Sequence, residues 1–229
     1  MRLELPDSYR SLPWYRQLAG RFALLWPLKA VGTMAFMALF FWGYFAVLQY
    51  PLRPAVTMPE VFVDRWIPFT PLAYPFYVSL WVYVSLPPAL LGSLRSLLGF
   101  GAWIAALCLF CLALFWFWPT AVPLADIDWR QYPQMAVIKG IDAGGNACPS
   151  LHVGSAVFAA CWLARVLRNV GAPALLGWIN WVCCTLIIWS TVATRQHVVL
   201  DVLAGGLVGM AFALISLRHV GHRCGLSRL

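Results

Sequence analysis

The stretch that decides the fold runs from residue 149 to residue 201. It opens on Pro149-Ser150-Leu151-His152-Val153 and closes on Thr194-Arg195-Gln196-His197-Val198-Val199-Leu200-Asp201. From residue 153 to residue 193 the only charged residues are Arg165 and Arg168, near the middle. Two apolar runs meeting at a short basic turn are the pattern of a membrane hairpin, because about 20 apolar residues cross a bilayer as helix. Lys139, Asp142 and Asn146 precede the first polar motif. Ionisable groups at membrane depth are expensive and mark functional sites by default. The two polar motifs therefore read as one site, at one membrane face, suited to an anionic group.

The rest of the chain has the same character. Of its 229 residues, 62% are hydrophobic and 10% charged, and mean hydropathy is +0.77, far from a soluble average. The apolar segments are continuous and not alternating, which argues against a β-barrel. The pattern predicts an all-α integral membrane bundle of six transmembrane helices at 26–49, 71–91, 97–118, 149–167, 173–193 and 198–217. Residues 1–25 read as a juxtamembrane segment on anionic lipid, 26–217 as the membrane domain and 218–229 as a basic tail. The first span is too long for a signal-peptide core and is expected to stay. The seven cysteines lie mostly in apolar runs. Cys108 and Cys111 read as buried small hydrophobes, and Cys148, in the polar loop, is assigned no chemistry.

The formal charge of +8 has a lopsided distribution. Arg2, Arg10, Arg16, Arg21, Lys29, Arg95, Arg165, Arg168, Arg218, Arg223 and Arg228 fall on one side of the six-span plan, accompanied only by Glu4 and Asp7. By the positive-inside rule this is the cytoplasmic side, so both termini are expected there and the charge needs no nucleic-acid partner. Both polar motifs then fall together on the opposite side.

His197 and Asp201 stand four apart at the expected start of the last helix, hence on one face. A carboxylate one turn below an imidazole holds the ring by one nitrogen and leaves the other as nucleophile or base. The same pair can serve as a packing lock inside a membrane. Arg195 sits where a helix N-terminus is expected, and the dipole there disfavours cations. A bound phosphate resolves that conflict, whereas a lone arginine snorkels to the interface. Pro149-Ser150 reads as a helix start, with His152 in the first turn beside the N–H groups of Ser150 and Leu151. A proton donor there serves a leaving oxygen while the N–H groups hold its phosphate. Gly144-Gly145 permits close backbone approach. Asp142 and Asn146 are placed to orient Lys139 or His152; Asn146 and Gly144 equally suit an ordinary turn, and Lys139 a solvated loop charge.

These residues resemble the type 2 phosphatidic acid phosphatase superfamily of membrane lipid phosphatases and phosphotransferases. Pro149-Ser150-Leu151-His152 is similar to the family's second motif, and His197-x-x-x-Asp201 to the end of its third. The resemblance implies hydrolysis of a lipid phosphate ester, with His197 as nucleophile forming a phosphohistidine, Asp201 its orienter and His152 the general acid. Arg195, Lys139 and the Ser150 and Leu151 N–H groups are expected to hold the phosphate, with Asp142 and Asn146 in support. The chain departs from the family pattern twice. Ser190 and Thr191 stand where the family has Ser-Arg, and the arginine is instead Arg195, a spacing that resembles the sphingomyelin synthase branch. PSLH resembles the inositol phosphorylceramide synthase branch. The family's first motif is absent; Lys139 is its stand-in, and Arg53-Pro54 or Arg130 are candidate second cations.

The implied partners are a lipid phosphate and membrane lipids, in a bacterial inner membrane with the site on the periplasmic side. No metal or cofactor is implied, since cationic side chains and helix N-termini take that part. The alternative is a phosphotransferase that passes a phospho-headgroup to a lipid or polyol hydroxyl. A zinc hydrolase built on His152, His197 and Asp201 or Asp142 is opposed by Arg195, which a metal would repel. A channel or transporter is opposed by the lack of an inverted repeat.

Overall fold

The computed structural model describes residues 4–136 and 144–223. Its helices are α1 (Trp14–Ala23), α2 (Trp26–Gln49), α3 (Phe62–Trp66), α4 (Tyr74–Ala89), α5 (Leu94–Phe117), α6 (Leu151–Asn169), α7 (Ala174–Ala193) and α8 (Val199–Arg223). Helix ends follow local chemistry. Pro27 and Pro75 occupy first-turn positions of α2 and α4, where a missing N–H costs nothing. Ser93 caps α5 by accepting from the Ser96 N–H, and Ser150 caps α6 by accepting from Val153.

Among the described residues, five helices are long and apolar enough to cross a bilayer: α2, α5, α6, α7 and α8 as far as Val220. Six spans are expected from the sequence. The remaining one, α4, has only sixteen residues, about 24 Å of helix. It is short because a 3-10 turn at Pro71–Ala73 precedes it and Pro87 and Pro88 fall at its end, where proline stops propagation. The last helix also differs from expectation. It begins at Val199, so His197 precedes it, and it runs on to Arg223, into the segment read as tail.

At the centre lies α6, packed against α4, α5, α7 and α8. One flank sets Phe158, Trp162 and Val166 against Phe100, Leu107 and Phe115 of α5. The other sets Val157, Ala160 and Leu163 against Leu80 and Tyr83 of α4 and Cys184 and Ile187 of α7. The outer surface keeps large apolar side chains such as Leu39, Trp42 and Leu207 exposed, as lipid contact requires.

The contact between α6 and α8 depends on glycine. A Cβ at Gly205 would strike the Ser150 carbonyl, and one at Gly209 the Gly154 carbonyl. Small residues four apart let two helix backbones approach this closely. The two helices run in the same direction, joined by Ser150 N–H to the Asp201 carbonyl (3.0 Å) at one end and Trp162 Nε1–H to Ser216 Oγ (3.0 Å) further along. Their N-termini therefore lie side by side. Loops cover this end. Strand β1 (Val56–Thr57) pairs in parallel with β2 (Thr120–Ala121), Ala121 bridges to Gly145, and the Thr70 N–H donates to the Ala193 carbonyl.

Candidate active site

Two helix N-termini and one helix C-terminus converge at the covered end of the bundle. His152 is the second residue of α6. Its Nδ1 lies 3.3 Å from His197 Nε2, and its Nε2 lies 2.8 Å from the hydroxyl of Tyr77 on α4. Tyr77 and Trp81, one turn apart on α4, both lay their rings against His152. The second ring nitrogen of His197, Nδ1, is 3.5 Å from Asp201 Oδ2, within ion-pair reach but too long for a good hydrogen bond. Among the described residues, His197 Nδ1 and Asp201 Oδ1 are buried without a hydrogen-bond partner. Asp201 Oδ2 accepts the Val198 N–H at 3.1 Å, so this carboxylate also serves the open start of α8. Its link to His197 is made across a loop, not along a helix face as the sequence suggests.

Arg195, too, lies on a different element from the one the sequence suggests. It belongs to the C-terminus of α7, not the N-terminus of α8. The Gln196 N–H bonds the Thr191 carbonyl and the Arg195 N–H the Val192 carbonyl, both at 2.9 Å, the double bond that closes a helix with a left-handed residue. Arg195 is that residue, at φ 57°, where glycine is usual and another side chain costs about 1 kcal/mol. The dipole at this end favours a cation, so no bound anion is needed to explain its place. Its guanidinium nitrogens reach the Asp64 and Ile67 carbonyls at 3.4 and 3.2 Å.

Two cavities reach the histidine pair, one at each ring. A polar one of about 340 Å³ lies under the loops and is lined by Arg195, His197, Glu60 and Asp126. An apolar one of about 830 Å³ runs between α2, α4, α5 and α6, with His152, Tyr77 and Asn146 at one end and Lys29 at the other. The imidazole pair is thus the wall between a polar chamber and a hydrocarbon-lined one.

The remaining expected residues fall as follows. Lys139 and Asp142 lie outside the described residues. The Ser150 N–H is already given to the Asp201 carbonyl and Ser150 is fully buried, so this amide does not point at an open site; tight α6–α8 packing consumes it. Asn146, at φ 51°, gives its amide to the Tyr44 carbonyl on α2 at 3.4 Å and so tethers the loop, not Lys139 or His152. Leu151 lines the apolar cavity. Arg53 and Arg130 are exposed and line neither cavity. Cys148 borders the site; burial, and then the charge of Asp201, push its thiol above the usual range.

Two residues escape the motifs. Asp64 is 1% exposed, and its two oxygens accept the Val61 and Val199 N–H groups, each at 2.8 Å. It thereby caps α8 from 135 residues away and steadies the loop holding His197. The sequence offers little signal for it: it is one of two acids, with Glu60, in an apolar, proline-rich loop. Tyr77 has no local signal, since an aromatic in an apolar helix is ordinary.

A family model of the PAP2 superfamily matches residues 68–216, more than half of the chain and both histidine motifs. The chain belongs to this superfamily, the type 2 phosphatidic acid phosphatases. With its apolar helices, it is an integral membrane enzyme of the phosphatase or phosphotransferase type. No curated protein and no solved structure matches it.

Proposed function

We propose that this PAP2 protein hydrolyses a lipid phosphate ester through a phosphohistidine on His197. The observation that carries the reading is the 3.3 Å approach of His152 Nδ1 to His197 Nε2. It joins residues 45 apart in sequence, one lining a hydrocarbon-lined cavity and the other a polar one.

In the resting enzyme the two ring nitrogens face each other. A phosphoryl group entering from the polar chamber separates them and meets both. Its lipid chain lies in the apolar cavity. His197 Nε2 attacks phosphorus in line, the P–O bond to the lipid breaks, and His152 gives its Nδ1 proton to the departing alkoxide. Asp201 steadies the proton on His197 Nδ1 and the charge that grows on that ring. The 3.5 Å gap at rest closes in the loaded complex, as such contacts commonly do. Arg195 neutralises the equatorial oxygens from the polar chamber, aided by Lys139. Water then attacks phosphorus, His152 takes its proton, and the N–P bond breaks.

The sixth crossing in this reading is α4 with the 3-10 turn before it. In this reading both termini lie in the cytoplasm and the histidines on the far side of a bacterial inner membrane; the positive-inside charge distribution supports that orientation. The phosphotransferase reading shares the first half-reaction, with a hydroxyl in place of water. It is supported by the PSLH motif and by the Arg-x-His spacing.

The test is purified protein incubated with phosphatidate, isoprenyl phosphates and phosphatidylglycerophosphate, with and without ceramide, diacylglycerol or inositol. Free phosphate supports hydrolysis, and a new headgroup lipid supports transfer. Acid-labile, base-stable label on the protein supports the covalent route; its absence from a His152→Ala variant given p-nitrophenyl phosphate, whose leaving group needs no proton, would overturn it.

A further inference from the structure

Tyr77 lies outside both histidine motifs, yet its hydroxyl is the closest side-chain partner of His152, at 2.8 Å from Nε2. The tyrosine is 3% exposed, and its ring lies beside the imidazole, with centroids 5.0 Å apart and planes inclined by 32°. Trp81 meets the same imidazole edge-on at 6.1 Å. His152 is thus gripped by one face of α4, and its two nitrogens have different surroundings. Nε2 faces a phenol, and Nδ1 faces the nucleophile at 3.3 Å.

We propose that Tyr77 is the positioning residue of the general acid: it keeps one proton on His152 Nε2 throughout turnover, so that Nδ1 alone cycles. The proposal rests on the phosphohistidine reading. In the first step imidazolium His152 holds protons on both nitrogens. The Nδ1 proton passes to the leaving oxygen as the P–O bond breaks and the bond from His197 Nε2 to phosphorus forms. His152 is left neutral, with its Nε2–H donated to the Tyr77 oxygen and its Nδ1 lone pair turned to the phosphoenzyme. In the second step that lone pair takes a proton from water, the water oxygen bonds phosphorus, the N–P bond breaks, and the imidazolium is restored. A neutral ring with its proton on Nδ1 has no lone pair facing the phosphoenzyme and cannot act as base there. The Tyr77 hydroxyl can donate or accept; beside imidazolium, whose two nitrogens both donate, it accepts, and kept in that orientation through the step it selects against that tautomer.

The variant is Tyr77→Phe, which removes one oxygen and keeps the ring packing. Single-turnover cleavage of an alkyl phosphate, whose oxygen needs a proton to leave, is expected to fall about ten- to hundredfold. The burst of p-nitrophenolate from p-nitrophenyl phosphate, a good leaving group, should stay within about threefold of wild type. In a His152→Ala background, Tyr77→Phe should add no further loss, because its effect passes through that imidazole. Equal slowing with both substrates, multiplying losses in the double variant, or unchanged alkyl phosphate cleavage would each overturn the proposal. Nitrogen-15 spectra of the four histidines report independently of turnover. With orthovanadate bound between the two imidazoles in place of the phosphoryl group, neutral His152 should be the Nε2–H tautomer in wild type and a mixture in Tyr77→Phe; an unaltered tautomer overturns the proposal. Absence of phosphoenzyme in wild type, with this spectral change present, would instead strike at the reading of the reaction.

Discussion

The apolar cavity has an ionisable group at each end, and the two ends are built on opposite terms. At one end the Lys29 ammonium gives its protons to the carbonyls of Arg21 (2.6 Å), Ala89 (2.9 Å) and Leu91 (2.9 Å). It ties the end of α4 to α1 and α2, and its donor capacity is spent. At the other end His197 Nδ1 and Asp201 Oδ1 are buried with no hydrogen-bond partner among the described residues, and two imidazoles face each other across the gap between two chambers. A buried charge with every donor used holds a fold together. A buried polar cluster left unpaired at rest is set to rearrange, because an orphaned group costs about 1–3 kcal/mol until its partner comes within reach.

The largest losses are expected at the histidine end. His197→Ala is expected to lose about 10⁴-fold or more in turnover and Asp201→Asn about 10³- to 10⁴-fold. Phosphate release, and thermal unfolding unchanged within experimental scatter, are the checks. Lys29→Met should do the reverse. It leaves carbonyls without their donor and lowers stability by about 2–4 kcal/mol, while turnover of a short-chain phosphate ester per folded molecule is kept. Denaturant unfolding in detergent against specific activity separates the two effects. If Lys29→Met abolishes turnover in folded protein, the two ends are not distinct.

Smaller effects sharpen the contrast. Arg195→Lys replaces a planar fork with a point charge and should cost about ten- to hundredfold in kcat/KM with little change in unfolding; unchanged kinetics would place Arg195 outside the site. The gentlest probe is Cys148. Its thiol is raised by burial and by Asp201, so it stays protonated through neutral pH and reacts with iodoacetamide only as pH climbs beyond the range of a free thiol. In a chain with its other cysteines replaced, Asp201→Asn should move that profile to lower pH. A profile indifferent to residue 201 would show that no carboxylate charge reaches the loop.

Much of this was legible without coordinates. Continuous apolar runs dictate membrane helices because an unpaired backbone cannot lie in lipid, and Ser93 and Ser150 mark helix starts by local chemistry that any chain obeys. His152, His197, Arg195 and Asp201 stand out because ionisable residues are rare in such a sequence. Other features follow only from tertiary packing. Arg195 closes α7 instead of opening α8, since left-handed closure is a backbone choice and glycine, its usual sign, is absent. The Ser150 N–H is taken by a carbonyl 51 residues away, which the Gly154, Gly205 and Gly209 contact makes possible. Asp64 caps a helix it does not adjoin, and Tyr77 reaches His152 across 75 residues. Local propensities and solvent preference are written residue by residue. Which nitrogen faces which oxygen depends on where several helices come to rest against one another, and no single stretch of the chain carries that.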